Sequence, residues 1–212
     1  MTEKGLLKQP VICSLIFISF ASIFLFFNSN TYTAVDGGLR CLDVFYSHEP
    51  SFGLHGHMLS QVHIYYFHKI LGIFNIIAKD AFEYFRYSTI LNALAGAASL
   101  SLLYLLSFRL TGSIYFSLLS VFLTGFSSCF LINAANPDEP MVGFLLSIIA
   151  VAFSLLSLSK NKKIHSIVSG LCLSYATATY QSMFLIFPAL LFIYLHFIFT
   201  AEKGTKREYI KL

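Results

Sequence analysis

The chain has 212 residues, of which 57% are hydrophobic and 11% are charged, and its formal net charge at pH 7 is +4. Because soluble globular domains carry about 25% charged residues, this composition excludes a water-soluble domain and predicts a membrane protein. A net charge of this size does not indicate a nucleic-acid partner, and none is expected. The four cysteines have no C-x-x-C spacing and are interpreted as packing residues; they are Cys13, Cys41, Cys129 and Cys172.

The first membrane span is predicted over residues 11–28. No Asp, Glu, Lys or Arg occurs between Lys8 and Asp36, and a bilayer core of about 30 Å needs about 20 apolar residues in a helix. A secretory signal peptide is the alternative, since Lys4 and Lys8 form a basic start. We favour an uncleaved anchor because the apolar stretch is longer than that of a usual signal peptide and further spans follow.

Residues 29–85 are predicted to form a long loop that contains one apolar segment, residues 58–78. This segment includes Lys69, and a lysine at mid-bilayer costs about 2.5–3.5 kcal/mol. Its apolar residues recur at steps of three and four, which predicts a helix lying in the membrane interface and not a span. The apolar face comprises Val62, Tyr66, Ile70, Ile73 and Ile77, and the polar face comprises Gln61, His68, Asn75 and Lys79.

Five further spans are predicted after this loop, which gives an all-α polytopic membrane protein with about six transmembrane helices. Charge-free stretches place these spans at residues 87–108, 113–133, 140–158, 164–179 and 183–200. The last two come from one stretch that is too long for a single crossing. Four polar residues interrupt that stretch near a predicted tight turn: Thr177, Thr179, Gln181 and Ser182.

Six spans with a cytoplasmic N-terminus agree with the positive-inside rule, so both termini are predicted to be cytoplasmic. Of the 14 Lys and Arg residues, only Arg40, Lys69, Lys79 and Arg86 then lie in outer segments, and inner segments are expected to carry the excess. Most acidic residues fall on the outer side, where chemistry involving carboxylates would take place. They are Asp36, Asp43, Glu49, Asp80, Glu83, Asp138 and Glu139.

Two acidic outer segments are the candidate sites, and each has a structural alternative. Asp36 lies just beyond the first span but precedes two glycines and is equally suited to begin a turn. Asp138 is also suited to cap the helix that starts at Pro140, with Glu139 near the positive end of that helix. Neither segment has the spacing of a P-loop, a zinc-protease helix or a dinucleotide fingerprint.

The histidines of the first outer loop are a weaker candidate. His55 and His57 could bind a metal ion together with His63 or His68. Their spacing is not that of a known metal motif, so a polar contact within the loop is the favoured interpretation. No metal ligand is assigned from the sequence.

The order of these features resembles the GT-C superfamily of membrane glycosyltransferases, which includes protein O-mannosyltransferases and lipid A aminoarabinose transferases. An acidic residue beyond the first span, a long outer loop with an interfacial helix, and an acidic residue in the next outer loop follow one another in both. Short stretches over roughly residues 11–195 add to the likeness: His57-Met58-Leu59, Arg86-Tyr87-Ser88, Leu102-Leu103-Tyr104-Leu105-Leu106, Ser169-Gly170-Leu171, Pro188-Ala189-Leu190-Leu191, and Tyr180-Gln181, a pair also similar to one in O-antigen glucosyltransferases. The family usually continues with more spans, so the likeness is to its N-terminal part.

The resemblance implies transfer of a sugar from a polyprenyl-phosphate donor to an acceptor on the outer side of a bacterial inner membrane. It implies that Asp36 is the catalytic carboxylate and that Asp138, or Glu139, orients the acceptor or helps to hold a divalent metal ion. Arg40 and Lys79 are then expected near the departing phosphate. His55 and His57 are expected to contact the substrate.

A non-catalytic membrane protein, such as a transporter subunit or an assembly partner of another membrane subunit, is the alternative. Transporters often contain inverted repeats and broken helices at mid-membrane. The sequence has no convincing internal repeat, and no Asp, Glu, Lys or Arg lies within a predicted span. This pattern disfavours an ion-coupled carrier.

Overall fold

A computed structural model describes residues 3–27, 35–50, 59–136, 140–160 and 162–201, and within these ranges the chain is helical without strands. The helices are α1 (Glu3–Phe26), α2 (Val35–Ser47), α3 (Ser60–Ile73), α4 (Ala81–Thr111), α5 (Ile114–Gly125), α6 (Ser128–Ala134), α7 (Pro140–Lys160), α8 (Lys163–Thr179) and α9 (Ile186–Ala201), with a 3-10 turn at Gln181–Leu185 between the last two. The predicted all-α class is therefore confirmed.

Three helices are long and apolar enough to cross a membrane: α1, α4 and α7. The count rises to four if α5 and α6, which meet at an angle of 66°, form one broken span. The helices α8 and α9 have only 17 and 16 residues, and a shorter apolar helical segment covers Gln181–Leu195. Long apolar helices of this kind are typical of an integral membrane protein, whereas the total of six spans stays a prediction.

Local signals explain where two helices depart from the predicted spans. The helix α4 begins at Ala81, before residue 87, because Asp80 caps it: the Glu83 N–H donates to Asp80 Oδ1 at 2.8 Å. The predicted span 113–133 bends after Gly125, where Ser127 caps α6 and its hydroxyl donates to the Thr124 carbonyl at 2.8 Å. A side chain that bonds the preceding turn in this way favours a new helix start.

The helices α1 and α4 run antiparallel and are joined by buried polar contacts. The Tyr104 hydroxyl donates to Gln9 Oε1 at 2.7 Å, and both side chains are buried. One turn further along α1, the Ser101 hydroxyl donates to the Cys13 carbonyl at 3.2 Å. Near the other end of α1, Phe24 is fully buried and lies close to Gly96.

The contact between α1 and the α5–α6 pair consists mainly of phenylalanines and is called the aromatic seam. It comprises Phe20, Phe24, Phe122, Phe126 and Phe130, with ring centroids 5.4–6.3 Å apart between α1 and the pair. Gly125 provides the space for this packing, since a Cβ there would meet the Phe20 ring and would lie 2.9 Å from Leu100 Cδ1. The same buried core includes Leu100, Tyr104 and Met141.

The helices α7 and α8 form an antiparallel hairpin joined by four serines, called the serine seam. Ser154 and Ser169 are bonded through their hydroxyls at 2.7 Å, and Ser157 and Ser166 at 2.5 Å. The Ser169 hydroxyl also bonds the Ala150 carbonyl at 2.8 Å.

The antiparallel contacts define two ends of the bundle, named the Asp80 end and the Arg109 end after residues near the two ends of α4. The start of α7 and the end of α8 meet on the side of the Asp80 end, where a Cβ on Gly143 would lie 3.4 Å from the Ala176 carbonyl. Each Asp or Glu whose side chain the structure describes lies at the Asp80 end. These residues are Asp43, Glu49, Asp80 and Glu83.

The helices α2 and α3 cover the start of α4 and form a second, smaller core at the Asp80 end. Its buried members are Cys41, Val44, Ile64, Tyr84 and Phe85. Burial raises the pKa of the Cys41 thiol to about 12, so this thiol is unreactive near neutral pH. The four cysteines are free thiols, as the packing interpretation expects.

The helix α3 lies within the predicted interfacial segment, but it ends at Ile73, five residues before the predicted end at 78. Asn75 adopts a left-handed conformation with φ 58°. The Ile76 N–H donates to the Leu71 carbonyl and the Asn75 N–H to the Gly72 carbonyl, each at 3.0 Å. This is the Schellman arrangement that terminates helices, and Asn is one of the residues that tolerate its left-handed position.

Candidate functional site

Three predicted site residues lie in described segments at the Asp80 end. The backbone of Asp36 belongs to the first turn of α2, and Arg40 follows one turn later and is half-buried. Lys79 is exposed just before α4, and its backbone N–H donates to Glu83 Oε2 at 2.9 Å. This bond completes the cap of α4, so the backbone at Lys79 has a structural role.

The other predicted site residues fall outside the described residues: His55, His57, Asp138 and Glu139. The nearest described residues on either side of Asp138 and Glu139 are Asn136 and Pro140. Asn136 is buried, and its carbonyl accepts a hydrogen bond from the Asn92 amide at 2.8 Å. This bond holds the turn before α7 against the first half of α4.

The first turn of α2 lies beside α4 at about the level of Asn92, the residue that Asn136 contacts. The Cys41 thiol lies against the Ser88 hydroxyl, and the rings of Phe45 and Tyr84 are 5.5 Å apart. The two helices are therefore antiparallel, and each step back along α2 matches one step forward along α4. Continued to Asp36, this register puts its backbone level with Ala93, the residue that follows Asn92.

A third helix passes over this region. At the start of α3, the Leu59 N–H donates to the Ala178 carbonyl of α8 at 3.2 Å. Further along, the Gln61 amide lies 3.5 Å from Asp43 Oδ2 of α2. The helix α3 therefore bridges from α2 and α4 to the end of α8, across the Asp80 end of the bundle.

The His68 side chain of α3 packs against α4. Its ring stacks on Tyr84 with centroids 3.4 Å apart and planes 7° apart, and its Nε2 lies 3.0 Å from the Ser88 hydroxyl. Burial lowers the pKa of His68 to about 4, so the ring is neutral at pH 7.

The His68–Ser88 distance is that of a base and a nucleophile, but the surroundings do not support catalysis by this pair. Ser88 is 1% exposed, and its hydroxyl donates to the Tyr84 carbonyl at 2.9 Å. A nucleophile needs access to substrate and a proton that its base can accept. The pair therefore serves to fasten α3 to α4.

Histidine side chains in the described part of the chain do not converge on a metal site. His68 is engaged by Tyr84 and Ser88, and burial lowers the pKa of His63 to about 4. Among the described residues, no group of three or more His, Cys, Asp or Glu side chains is placed to hold a metal ion. A divalent ion involving Asp138 or Glu139 stays a prediction because both residues lie outside these ranges.

Comparisons with protein-family models, with curated proteins and with solved structures find no match for this chain. The candidate site is therefore defined by geometry alone: the backbone of Asp36 and Asn136, two residues before Asp138, reach a similar depth beside α4. The sequence analysis did not single out Asn92 and Asn136, whose hydrogen bond holds the residues before α7 at this level of α4. An asparagine three turns into a long apolar helix was the available signal, because a buried amide needs a partner.

Proposed function

We propose that this chain is a six-span membrane glycosyltransferase that moves a sugar from a polyprenyl-phosphate donor to an acceptor at the Asp80 end. The observation that carries the proposal is the common depth of Asp36 and of Asn136, the last described residue before Asp138. The backbone of Asp36 and the turn that leads to Asp138 both reach the level of Asn92 on α4, where Asn136 is bonded at 2.8 Å.

The chemistry requires a base for the acceptor. A sugar or lipid hydroxyl is a weak nucleophile, and a carboxylate within hydrogen-bond reach accelerates its attack by accepting the proton. Asp36 has this role in the proposal, and Asp138 or Glu139 orients the acceptor. A divalent ion between these carboxylates is compatible with the same arrangement.

The departing lipid phosphate requires positive charge. Developing negative charge is stabilised by fixed cations in a site that excludes water. Arg40 lies one turn beyond Asp36 on α2, and Lys79 lies at the same end of the bundle. In the proposal Arg40 contacts the phosphate, and Lys79 contributes at longer range.

The proposed orientation puts the Asp80 end outside the cytoplasm. The basic residues of the Arg109 end, including Lys162 and Lys163, then face the cytoplasm together with both termini. The short helices α8 and α9 supply the fifth and sixth crossings in this arrangement. A hairpin partner such as α7 shields part of a short span from lipid.

A transfer assay in membranes tests the proposal. Membranes containing the chain are supplied with radiolabelled hexose or pentose on polyprenyl phosphate, and label in lipid and glycan acceptors is counted. We expect transfer that Asp36→Asn lowers by about 10²- to 10⁴-fold, as for loss of a general base. Glu49→Gln is the matched control, because Glu49 is an exposed carboxylate just beyond α2.

Two outcomes contradict the proposal. One is full transfer by the Asp36→Asn variant. The other is cysteine labelling that finds positions 36 and 138 on opposite sides of the membrane, since the two segments could not then share a site.

A further inference from the structure

A cleft of about 530 Å³ opens at the Asp80 end between α2, α3 and residues 74–78. This volume lies within the range of about 300–1,000 Å³ that is typical of ligand pockets. The cleft does not include the region where Asp36 and Asn136 lie. It is lined by Tyr84, at the beginning of α4, whereas Asn136 contacts Asn92, two turns further along that helix. Its walls include Val44, Phe45, Tyr65, Gly72, Ile73, Ile76, Ile77 and Ala78.

The charge of the cleft is positive. Among the described residues that line it, Lys69 is the only Lys, Arg, Asp or Glu. The Lys69 ammonium lies 5.2 Å from the centroid of the Tyr65 ring, a cation–π distance that fixes its position over the cleft. The His68 ring, which also lines the cleft, is held flat against Tyr84.

The rim of the cleft is apolar and exposed. Ile73 is 76% exposed and Ile77 is 70% exposed, and Ile73 follows the exposed Ile70 on α3. The Schellman turn at Asn75 redirects the chain so that Ile76 and Ile77 face the cleft that α3 borders. Exposed apolar surface of this kind marks a binding or membrane surface.

These two properties together identify the ligand class. A positive charge beside an apolar rim, on a helix with the pattern of an interfacial helix, complements an amphiphile with an anionic head group. A lysine at this depth extends its ammonium toward the head-group layer while its methylenes stay in apolar surroundings.

We propose that this cleft binds an anionic phospholipid of the bilayer, with the lipid phosphate at the Lys69 ammonium and an acyl chain against Ile73, Ile76 and Ile77. The bound lipid fills the space between α2 and α3 and seats α3 in the interface. This lipid is distinct from the sugar donor, and the inference stands whether or not the chain transfers sugars.

The absence of Trp from the sequence gives a direct test. Ile77→Trp introduces a single fluorophore at the rim, and the protein is reconstituted into phosphatidylcholine vesicles. Brominated lipids quench a Trp that they contact, so brominated phosphatidylglycerol and brominated phosphatidylcholine are compared at equal mole fractions. We expect the anionic lipid to quench more strongly, with a relative association constant of about 5 in its favour, the preference that one interfacial lysine supplies.

Variants in the same Trp background assign the preference to the cleft. Lys69→Gln is expected to lower it to about 1, and Lys69→Arg to retain it, since the positive charge is kept. Arg86→Gln is the matched control, because Arg86 is an exposed cation in the second turn of α4 that does not line the cleft. Retention of the Lys69→Arg preference shows that substitution at this position leaves the fold intact.

Four results would overturn the proposal. They are equal quenching by both lipids, a preference that survives Lys69→Gln, relief of quenching by millimolar inorganic phosphate, and much stronger relief by polyprenyl phosphate than by unlabelled phosphatidylglycerol. The third would make the cleft a site for free phosphate, and the fourth would make it a site for the isoprenoid. The same measurements in an Asp36→Asn background separate failure of this inference from failure of sugar transfer.

Discussion

The aromatic seam and the serine seam join helices of one bundle by opposite means. Between α1 and the α5–α6 pair, Phe20 and its neighbouring rings fill the space beside Gly125. Between α7 and α8, small side chains allow hydroxyls such as those of Ser154 and Ser169 to bond each other. Lipid is as apolar as a leucine side chain, so hydrophobic burial alone does not hold two helices together.

The two seams should be sensitive to different substitutions. A close-packed aromatic contact is sensitive to added volume, because the surrounding atoms have nowhere to move. A hydrogen-bonded contact between small residues is sensitive to loss of a donor, because the remaining hydroxyl is left in apolar surroundings. Two predictions follow the contrast, with the larger expected effect first, and a third concerns the attachment of α3.

Added volume at Gly125 should have the largest effect. In Gly125→Ala the new Cβ overlaps the Phe20 ring and the Leu100 side chain, and we expect the free energy of unfolding to fall by about 1–3 kcal/mol. Gly170→Ala in α8 is the control, because a Cβ there meets nothing within 4 Å and should stabilise the helix by up to about 1 kcal/mol. Denaturation by SDS in mixed micelles measures both, and equal effects would disprove the close packing at Gly125.

Loss of a hydroxyl from the serine seam should have a smaller effect. Ser169→Ala removes the bonds to Ser154 and to the Ala150 carbonyl, and interhelical bonds in membrane proteins contribute about 0.6 kcal/mol on average. Ser120→Ala is the control, since its exposed hydroxyl bonds only the Phe116 carbonyl of its own helix. If Ser169→Ala and Ser120→Ala change the unfolding free energy equally, the seam does not join the helices.

The packing of α3 against α4 should weaken gradually as the pH falls. Burial lowers the pKa of His68 to about 4 from an ordinary value near 6.5. The detached helix therefore binds more protons between these values, so attachment is fully stable above about pH 6.5 and weakens as the pH falls toward 4. The neutral ring also faces Lys69 and Tyr84, and protonation would add a second positive charge beside Lys69.

Hydrogen exchange of α3 amides, corrected for the intrinsic effect of pH, measures this weakening. His68→Phe keeps a flat ring on Tyr84 and should remove roughly half of the pH dependence, because two histidines of α3 have equally lowered pKa values. His63 supplies the remainder, because burial also lowers its pKa to about 4. An unchanged pH dependence in the His68→Phe variant would exclude His68 as the titrating group.

Much of the fold could be predicted because it depends on local properties of the sequence. Charge-free stretches located the apolar helices α1, α4 and α7, since a helix in lipid must satisfy its own backbone bonds and carry apolar side chains. The earlier start of α4 was also readable, because Asp80 and Glu83 have capping-box spacing. Asn75 was a readable stop for α3, although we assigned it to a helical face.

Other features could not be predicted because they depend on which surfaces meet. Gln61 and His68 were assigned to the polar face of α3, yet Gln61 is 4% exposed and His68 packs on Tyr84. Periodicity identifies two faces of a helix but not what each face contacts. The Ser127 cap marks where α6 begins, but the 66° angle between α5 and α6 accompanies packing of Gly125 against Phe20 and could not be predicted.

The sequence alone determined that the chain is helical, apolar and asymmetric in charge, because hydropathy and charge act on each segment separately. Only the tertiary structure decided that α2 descends beside α4, that Asn92 bonds Asn136 across 44 residues of sequence, and that Lys69 stands over an apolar cleft. These features depend on contacts between segments far apart in the chain. Such contacts depend on how whole helices pack, and they produce no periodic pattern or residue spacing in the sequence from which they could be predicted.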